Sequence, residues 1–212
     1  MSLVTLSASY GAGGSRIGPA LAERLGVPFV DRAIPSAVAE RLALPLGDAL
    51  ARDQAVSGVF SRMLQSFAPA IGPFALAPIP EAIPISDQDY CAATEHVIRA
   101  HAECGEGVVL GRAGACVLRE HPEALHVRLD GPREKRIVQA MRIEHVDRVT
   151  AERRMDETDR AREAYVRQLY RTDPRSADLY HLVIDSTAIS LDACVELIAQ
   201  AAHGRAQAQL SA

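Results

Sequence analysis

The sequence predicts an α/β fold with a central parallel sheet, and three observations support this prediction. Short β-type runs alternate with helical segments along the 212 residues. A glycine-rich turn joins the first run to the first helix, as a βαβ unit requires. Hydrophobic residues make up 48% of the chain, enough for a packed core. We therefore expect three layers, with the sheet between helices.

The first thirty residues contain the opening βαβ unit. Leu3–Ser7 is a β-type run that stops at glycines, and Ile17–Leu25 places its apolar residues on one helical face. Gly26 is expected to end this helix. Val27–Asp31 then reads as a second short strand, which implies a parallel sheet.

Later segments continue the alternation of strands and helices. The pattern predicts helices at 89–103, 132–142, 150–170 and 191–202, and strands at 107–111, 125–130 and 182–185. Thr150 is the expected cap of the long helix. Residues 1–202 are therefore interpreted as one domain, followed by a frayed tail at 203–212.

Residues 33–104 are interpreted as a largely helical insertion that contains a proline-rich segment. Five prolines lie within 68–85, which disfavours regular structure there. Because this segment is apolar, we expect it to form a lid, a wrap-around loop or a contact between two copies of the chain. A homodimer is accordingly one expectation.

Composition and charge exclude several classes of function. The formal charge of −4 provides no overall basic field for a nucleic-acid backbone. No apolar run reaches the roughly 18 residues of a membrane helix, and no cysteine pair has zinc spacing. We therefore expect a soluble, cytoplasmic protein with reduced thiols that has neither nucleic acid nor a membrane as partner.

The turn after the first strand has the character of a phosphate-binding loop. It contains the following residues: Gly11, Ala12, Gly13, Gly14, Ser15 and Arg16. Glycines allow backbone N–H groups to turn towards an anion, and the helix that follows adds its own unpaired N–H groups. The loop is the predicted site for ATP phosphates, with Ser15 as the predicted Mg²⁺ ligand.

Three interpretations of the loop remain open at this point. Aligned with the P-loop pattern, Gly13 and Ser15 match, whereas Ala8 replaces the first glycine and Gly14 the lysine. Arg16 is the nearest candidate for the missing positive charge. A dinucleotide-binding loop is the second interpretation, with Asp31 as the ribose-binding acid. In the third, the glycines only permit close packing.

The second half of the chain favours the P-loop interpretation. Arg112 follows the strand 107–111 directly, so it is expected at the edge of the sheet where ligands bind. The helix 150–170 is rich in arginine and carries Asp159 and Arg162 three residues apart on one face. It also carries Asp156 and Arg160 as i,i+4 partners. Such a helix is either a solvated, salt-bridged helix or a lid over a phosphoryl group.

Four stretches together resemble the cytidylate kinase-like family of P-loop kinases. They are the opening loop, the strand 27–31, Val108–Arg112 as "VVLGR", and Met155–Arg162 followed by 182–187. The resemblance covers residues 1–32 and 105–200. It implies a P-loop NTPase-like fold with residues 145–175 as an arginine-rich helical lid.

The resemblance also implies roles for individual residues. Asp31 would lie near the metal or the acceptor, Arg112 would bind the acceptor, Asp159 would orient or bind it, and Arg162 would stabilise the transferred phosphoryl group. Arg16 is a further candidate catalytic residue because it lies close to the position of the missing lysine, not because of the resemblance. The chain departs from the family at three positions. Gly14 stands in place of a lysine, Ala113 in place of an aspartate, and Met155 in place of an arginine.

Three hypotheses about function follow. The first is Mg-ATP-dependent phosphoryl transfer to a nucleoside monophosphate or a related small acceptor, CMP by resemblance. The second, which the missing lysine favours, is a nucleotide-binding sensor or scaffold without kinase activity. The third is an NAD(P)-binding oxidoreductase, which offers no account of the arginine-rich helix.

Overall fold

A computed structural model describes residues 2–30, 87–111 and 113–210 of the chain. The strands are β1 (Leu3–Ala8), β2 (Gly107–Leu110), β3 (Ala124–Asp130) and β4 (Leu182–Asp185). The helices are α1 (Gly14–Leu25), α2 (Asp87–Glu103), α3 (Gly114–Val117), α4 (Arg133–Glu144), α5 (Arg148–Tyr170) and α6 (Leu191–Leu210), with a 3-10 helix at Ala177–Leu179. Residues 33–86 of the predicted insertion at 33–104 lie outside the described residues, as do Asp31 and Arg112.

The four described strands form one parallel sheet in the order β2-β1-β3-β4. Leu3 pairs with Gly107 on one side and with Ala124 on the other, so β1 is flanked on both sides. The carboxyl ends of β1 and β3 therefore meet at one edge. This confirms the predicted parallel sheet.

The predicted second strand is reduced to a single parallel bridge between Phe29 and Val108. This bridge lies beyond β2 and away from β1. In a dinucleotide-binding fold, the strand that follows the first helix lies next to the first strand. The strand order therefore argues against the dinucleotide interpretation of the loop.

Helices cover both faces of the sheet, which confirms the layered α/β prediction. On one face, α1 and α6 bury a cluster that includes Val4, Leu129 and Ile198. On the other face, α2 and α3 cover Leu3 and Val109. The helices α4 and α5 pack together around a third, smaller apolar cluster beside the glycine-rich loop. They bring the chain's second half against its first turn.

Several element boundaries differ from the prediction, for local reasons. Helix α1 begins at Gly14, three residues early, because Gly13 serves as its N-cap. Asp147, and not Thr150, caps α5; its carboxylate accepts a hydrogen bond from the Thr150 N–H. Helix α6 continues past the predicted end at Ala202 to Leu210, so most of the predicted frayed tail is helical.

Candidate phosphate-binding site

The glycine-rich loop is a tight turn at the carboxyl edge of the sheet. Gly11 and Gly13 have φ values of 77° and 76°, in the left-handed region that favours glycine. A Cβ on Gly11 would lie 2.2 Å from the carbonyl oxygen of Arg136. The buried Ser186 hydroxyl donates to the Ala12 carbonyl at 2.7 Å from the far side. The loop is thus shaped by contacts with α4 and with the residue that follows β4.

Three backbone N–H groups of the loop are available to a ligand. Those of Gly13, Gly14 and Ser15 donate no hydrogen bond to any residue within the described ranges. The N–H groups of Arg16 and Ile17 are different, since both donate to the Gly13 carbonyl. Unpaired donors at the start of a helix, together with the helix dipole, form an anion-binding arrangement.

Close packing explains why no lysine stands at position 14. A Cβ on Gly14 would lie 2.6 Å from the Ala8 Cβ and 3.2 Å from Leu110 Cδ1. In the P-loop pattern, position 8 is a glycine and position 14 a lysine. Here the methyl group of Ala8 fills the space that the side chain at position 14 would need. The two departures from the pattern are therefore complementary.

Helix α4 braces the loop from outside. The Arg136 guanidinium, which is mostly buried, donates to the Tyr10 carbonyl at 2.8 Å and to the Gly131 carbonyl at 3.0 Å. The Gln139 amide donates to the Gly11 carbonyl at 3.0 Å. These bonds fix the carbonyl groups of the loop, so its N–H groups are free to point the other way.

Helix α5, the predicted lid, lies directly against the loop. The Asp159 carboxylate accepts from the Tyr10 N–H at 2.8 Å and pairs with Arg136 at 2.7 Å. Arg162 donates to the carbonyl of Ala8 at the end of β1. Asp159 and Arg162 therefore both lie at the loop. The contacts described here are with protein groups, namely Tyr10, Arg136 and Ala8.

A second polar group joins the loop to both helices. The Tyr10 hydroxyl donates to the Glu144 carboxylate at 2.7 Å, and Arg154 pairs with the same carboxylate at 2.7 Å. Burial and the hydrogen bond to Glu144 raise the pKa of Tyr10 far above its ordinary value, so the phenol remains a donor. Although burial opposes the charge of Arg154, the neighbouring Glu144 carboxylate raises the pKa of its guanidinium.

A cavity of about 50 Å³ lies between the loop and the two helices. Its walls are Ala8, Ser9, Tyr10, Gly11, Gly13, Gly14, Ser15, Leu110, Ala140, Ile143, Glu144, Arg154, Thr158 and Arg162. A water molecule needs roughly 10–15 Å³ of such space. The cavity therefore suits a group of a few heavy atoms, such as a phosphoryl group, and any larger ligand must extend out of it.

The structure places the sequence-predicted residues unevenly. Most of the predicted loop lines the cavity, including Ser15, and so does Arg162. Arg16 is exposed on the first turn of α1 and is not part of the wall. Asp159 is not part of the wall either, since its carboxylate contacts the Tyr10 N–H and Arg136.

The salt bridges predicted within α5 form instead between helices. Asp156 pairs with Arg133 at 2.6 Å, and Asp159 pairs with Arg136. Both partners lie on α4, which packs against α5. The two aspartates of α5 therefore pair with arginines of α4 and not with Arg160 or Arg162 of their own helix. The solvated-helix interpretation of α5 is therefore wrong for its loop-facing side.

Sequence reasoning missed Arg154 and Thr158 as site residues. Together with Arg162 they recur every four residues, which places the three on one face of α5. Met155, at the family's arginine position, is instead buried in the apolar cluster with Ile137. The spacing of four residues is visible in the sequence, and it could have identified this loop-facing side of α5.

The described residues contain no group of three or more His, Cys, Asp or Glu side chains that could hold a metal ion. This still fits the predicted Mg²⁺ use, because Mg²⁺ commonly takes most of its ligands from substrate phosphates and water. None of the helices in the described ranges combines the length and apolar character needed to span a bilayer.

A glycine-rich loop between the first strand and helix of a parallel sheet, covered by an arginine-bearing helix, defines a kinase-like P-loop fold. Residues 3–188 match the Cytidylate kinase-like family, and the chain belongs to that family. The resemblance seen in the sequence is thereby confirmed.

Solved structures and one curated protein are similar to this chain. An uncharacterized protein from Eubacterium ventriosum ATCC 27560 superposes with a TM-score of 0.65 at 18% identity, covering 96% of this chain and 99% of that one. A gluconokinase from Sinorhizobium meliloti 1021 gives 0.49 at 18%, covering 99% and 95%. Uronate isomerase from Corynebacterium glutamicum is 31% identical over 94 residues, or 44% of this chain. The match spans only 18% of that enzyme's length.

Proposed function

We propose that this protein transfers a phosphoryl group from Mg-ATP to a nucleoside monophosphate or a related small phosphorylated acceptor. The observation that carries the proposal is a shared cavity. It is lined by Arg162 and Arg154 and by loop residues whose N–H groups donate no hydrogen bond within the described ranges. Phosphoryl transfer depends mainly on positioning and on neutralising charge, so this arrangement supplies the main requirements.

Each group at the cavity has a proposed role in phosphoryl transfer. The N–H groups of Gly13, Gly14 and Ser15 hold phosphate oxygens, and the Ser15 hydroxyl is the protein ligand for Mg²⁺, which neutralises phosphate charge. Arg162 stabilises the charge that develops on the transferred group. Asp159 holds α5 against the loop through the Tyr10 N–H. Arg16, next to Ser15, remains a candidate catalytic residue.

The acceptor is proposed from the family alone. CMP is the expected acceptor, and Asp31, Arg112 and Asp159 remain the predicted acceptor-binding residues. Incubation of the protein with Mg-ATP and each common nucleoside monophosphate in turn, with ADP as the readout, tests the proposal. Turnover above the acceptor-free rate with one or more of them is expected, and its absence with every acceptor would contradict kinase activity.

A second candidate function is nucleotide binding without transfer. The packing of Ala8 against Gly14 favours it, because Gly14 leaves no lysine on the loop and no loop residue that lines the cavity is cationic. Calorimetry separates the two functions: Mg-ATP binding without turnover supports a sensor or scaffold. A homodimer formed through residues 68–85 also stays a prediction, and a mass near 22.8 kDa in light scattering would contradict it.

A further inference from the structure

Two polar groups on the α5 side of the cavity have no hydrogen-bond partner among the described residues. Thr158 is 1% exposed, and its hydroxyl forms no hydrogen bond with the described part of the chain. The Nε of Arg154 is also buried without a partner there. Leaving such groups unpaired is costly, so native proteins usually pair them with a neighbour, water or ligand.

The same cavity contains further unused donors on its loop side. Thr158 and Arg154 line the same cavity as Gly13, Gly14 and Ser15, whose N–H groups are unpaired as well. Every one of these groups can donate a hydrogen bond. A cavity lined on two sides by unused donors is complementary to a group that only accepts, and a tetrahedral oxyanion is such a group.

The net charge of the cavity lining also favours an anionic ligand. Its charged lining residues are Arg154, Arg162 and Glu144, which give a net charge of +1. Glu144 is shared between Arg154 and the Tyr10 hydroxyl, so it orients the guanidinium and neutralises only part of the positive potential. No residue of the loop that lines the cavity is cationic.

We propose that Arg154 and Thr158 of α5 complete an oxyanion subsite with the glycine-rich loop, with Arg154 supplying the positive charge that a P-loop lysine would supply. The subsite takes a phosphoryl group, and by the proposed function this is the terminal phosphate of ATP. Glu144 is the positioning residue for Arg154. Because the cation belongs to α5 and not to the loop, phosphate binding requires α5 to lie against the loop.

Titration of inorganic phosphate and of Mg-ATP by calorimetry tests this assignment. Arg154→Gln is expected to weaken the binding of both ligands about 10- to 100-fold, as loss of a charge-assisted hydrogen bond does. Thr158→Val is expected to weaken it about 3- to 10-fold, while Thr158→Ser retains affinity. Arg153→Gln, an exposed neighbour on the same helix, is the matched control.

The ligand-free melting temperature separates a binding role from a structural one. Thr158→Val removes a buried hydroxyl that has no partner, so it should keep or raise Tm while reducing the increase in Tm caused by phosphate. This variant keeps the test decisive if Arg154→Gln, which strands Glu144, unfolds. A lower Tm with an unchanged response to phosphate would overturn the assignment.

The outcomes also separate this inference from the proposed function. Binding of phosphate that depends on Arg154 and Thr158, without ATP binding or turnover, supports the subsite and contradicts the kinase. Binding and turnover of ATP that are unaffected in both variants support the kinase and overturn the subsite. Binding of neither ligand overturns both.

Discussion

The glycine-rich loop and helix α5 supply different things to the same cavity. The loop provides shape, through left-handed glycines and N–H groups, but no cation among its cavity-lining residues. Helix α5 provides charge, through Arg154 and Arg162, on a continuous helix of 23 residues. A P-loop of the usual pattern combines both on one segment. The difference teaches that charge and shape can be divided between elements, provided that they are packed together.

The largest effect is expected from breaking the shape of the loop. Gly11→Ala forces a side chain into the left-handed region and towards the Arg136 carbonyl. We expect a loss of about 3–5 kcal/mol in the free energy of unfolding, from backbone strain and overpacking together. Urea denaturation measures it. Gly204→Ala, with open space around the added Cβ, should instead be neutral or stabilising, and equal losses in the two variants would contradict the account.

Removal of the α5 charge is expected to affect chemistry more than stability. Arg162→Ala should lower the rate of ADP formation about 10²- to 10³-fold, the scale for losing a preorganised charge-stabilising group. The assay uses whichever acceptor supports turnover. Arg160→Ala, an exposed arginine on the same helix, is the control and should stay within about twofold. Similar rates in both variants would place the transferred group away from α5.

A lysine at position 14 would give the loop a positive charge, which in this protein is supplied by α5. Gly14→Lys should destabilise the protein by about 1–3 kcal/mol because its Cβ overlaps the Ala8 methyl group. Adding Ala8→Gly should recover much of that loss, so thermal unfolding of the single and double variants gives a coupling energy. Additive effects of the two changes would show that the two positions are not complementary.

The smallest effect concerns a charge pair at the edge of the loop. Arg128 pairs with Asp130 at 2.8 Å and also donates to the Ser9 hydroxyl. Burial alone would raise the pKa of Asp130, but the hydrogen bond and charge of Arg128 outweigh it and hold this pKa below its usual value. The pair's contribution to stability is therefore present above the unfolded-state pKa and lost as pH falls below about 4.

Asp130→Asn measures that contribution. The variant should lose less stability than the wild type between pH 5 and pH 3, because the titrating carboxylate is gone. Denaturant unfolding at the two pH values gives the comparison. An equal or steeper loss in the variant would show that this pair is not responsible.

Local patterns predicted most of the fold, whereas the site needed contacts between distant segments. The Leu182–Asp185 strand and the Gly26 helix end follow from local composition and were confirmed. The Asp156–Arg133 and Asp159–Arg136 pairs could not be predicted, since they depend on how α4 and α5 pack around the apolar cluster that holds Met155 and Ile137. The absence of a side chain at Gly14 was visible in sequence, but its cause, the Ala8 methyl group, was not.

The central claim is that helix α5, and not the loop, supplies the cation for the phosphates. Calorimetric titration of Mg-ATP into Arg154→Gln and Arg16→Gln tests it most directly, since the two variants remove one positive charge each from the two elements. The account predicts that Arg154→Gln loses about 10- to 100-fold in affinity and that Arg16→Gln loses clearly less. A larger loss for Arg16→Gln would contradict it and assign the charge to the loop.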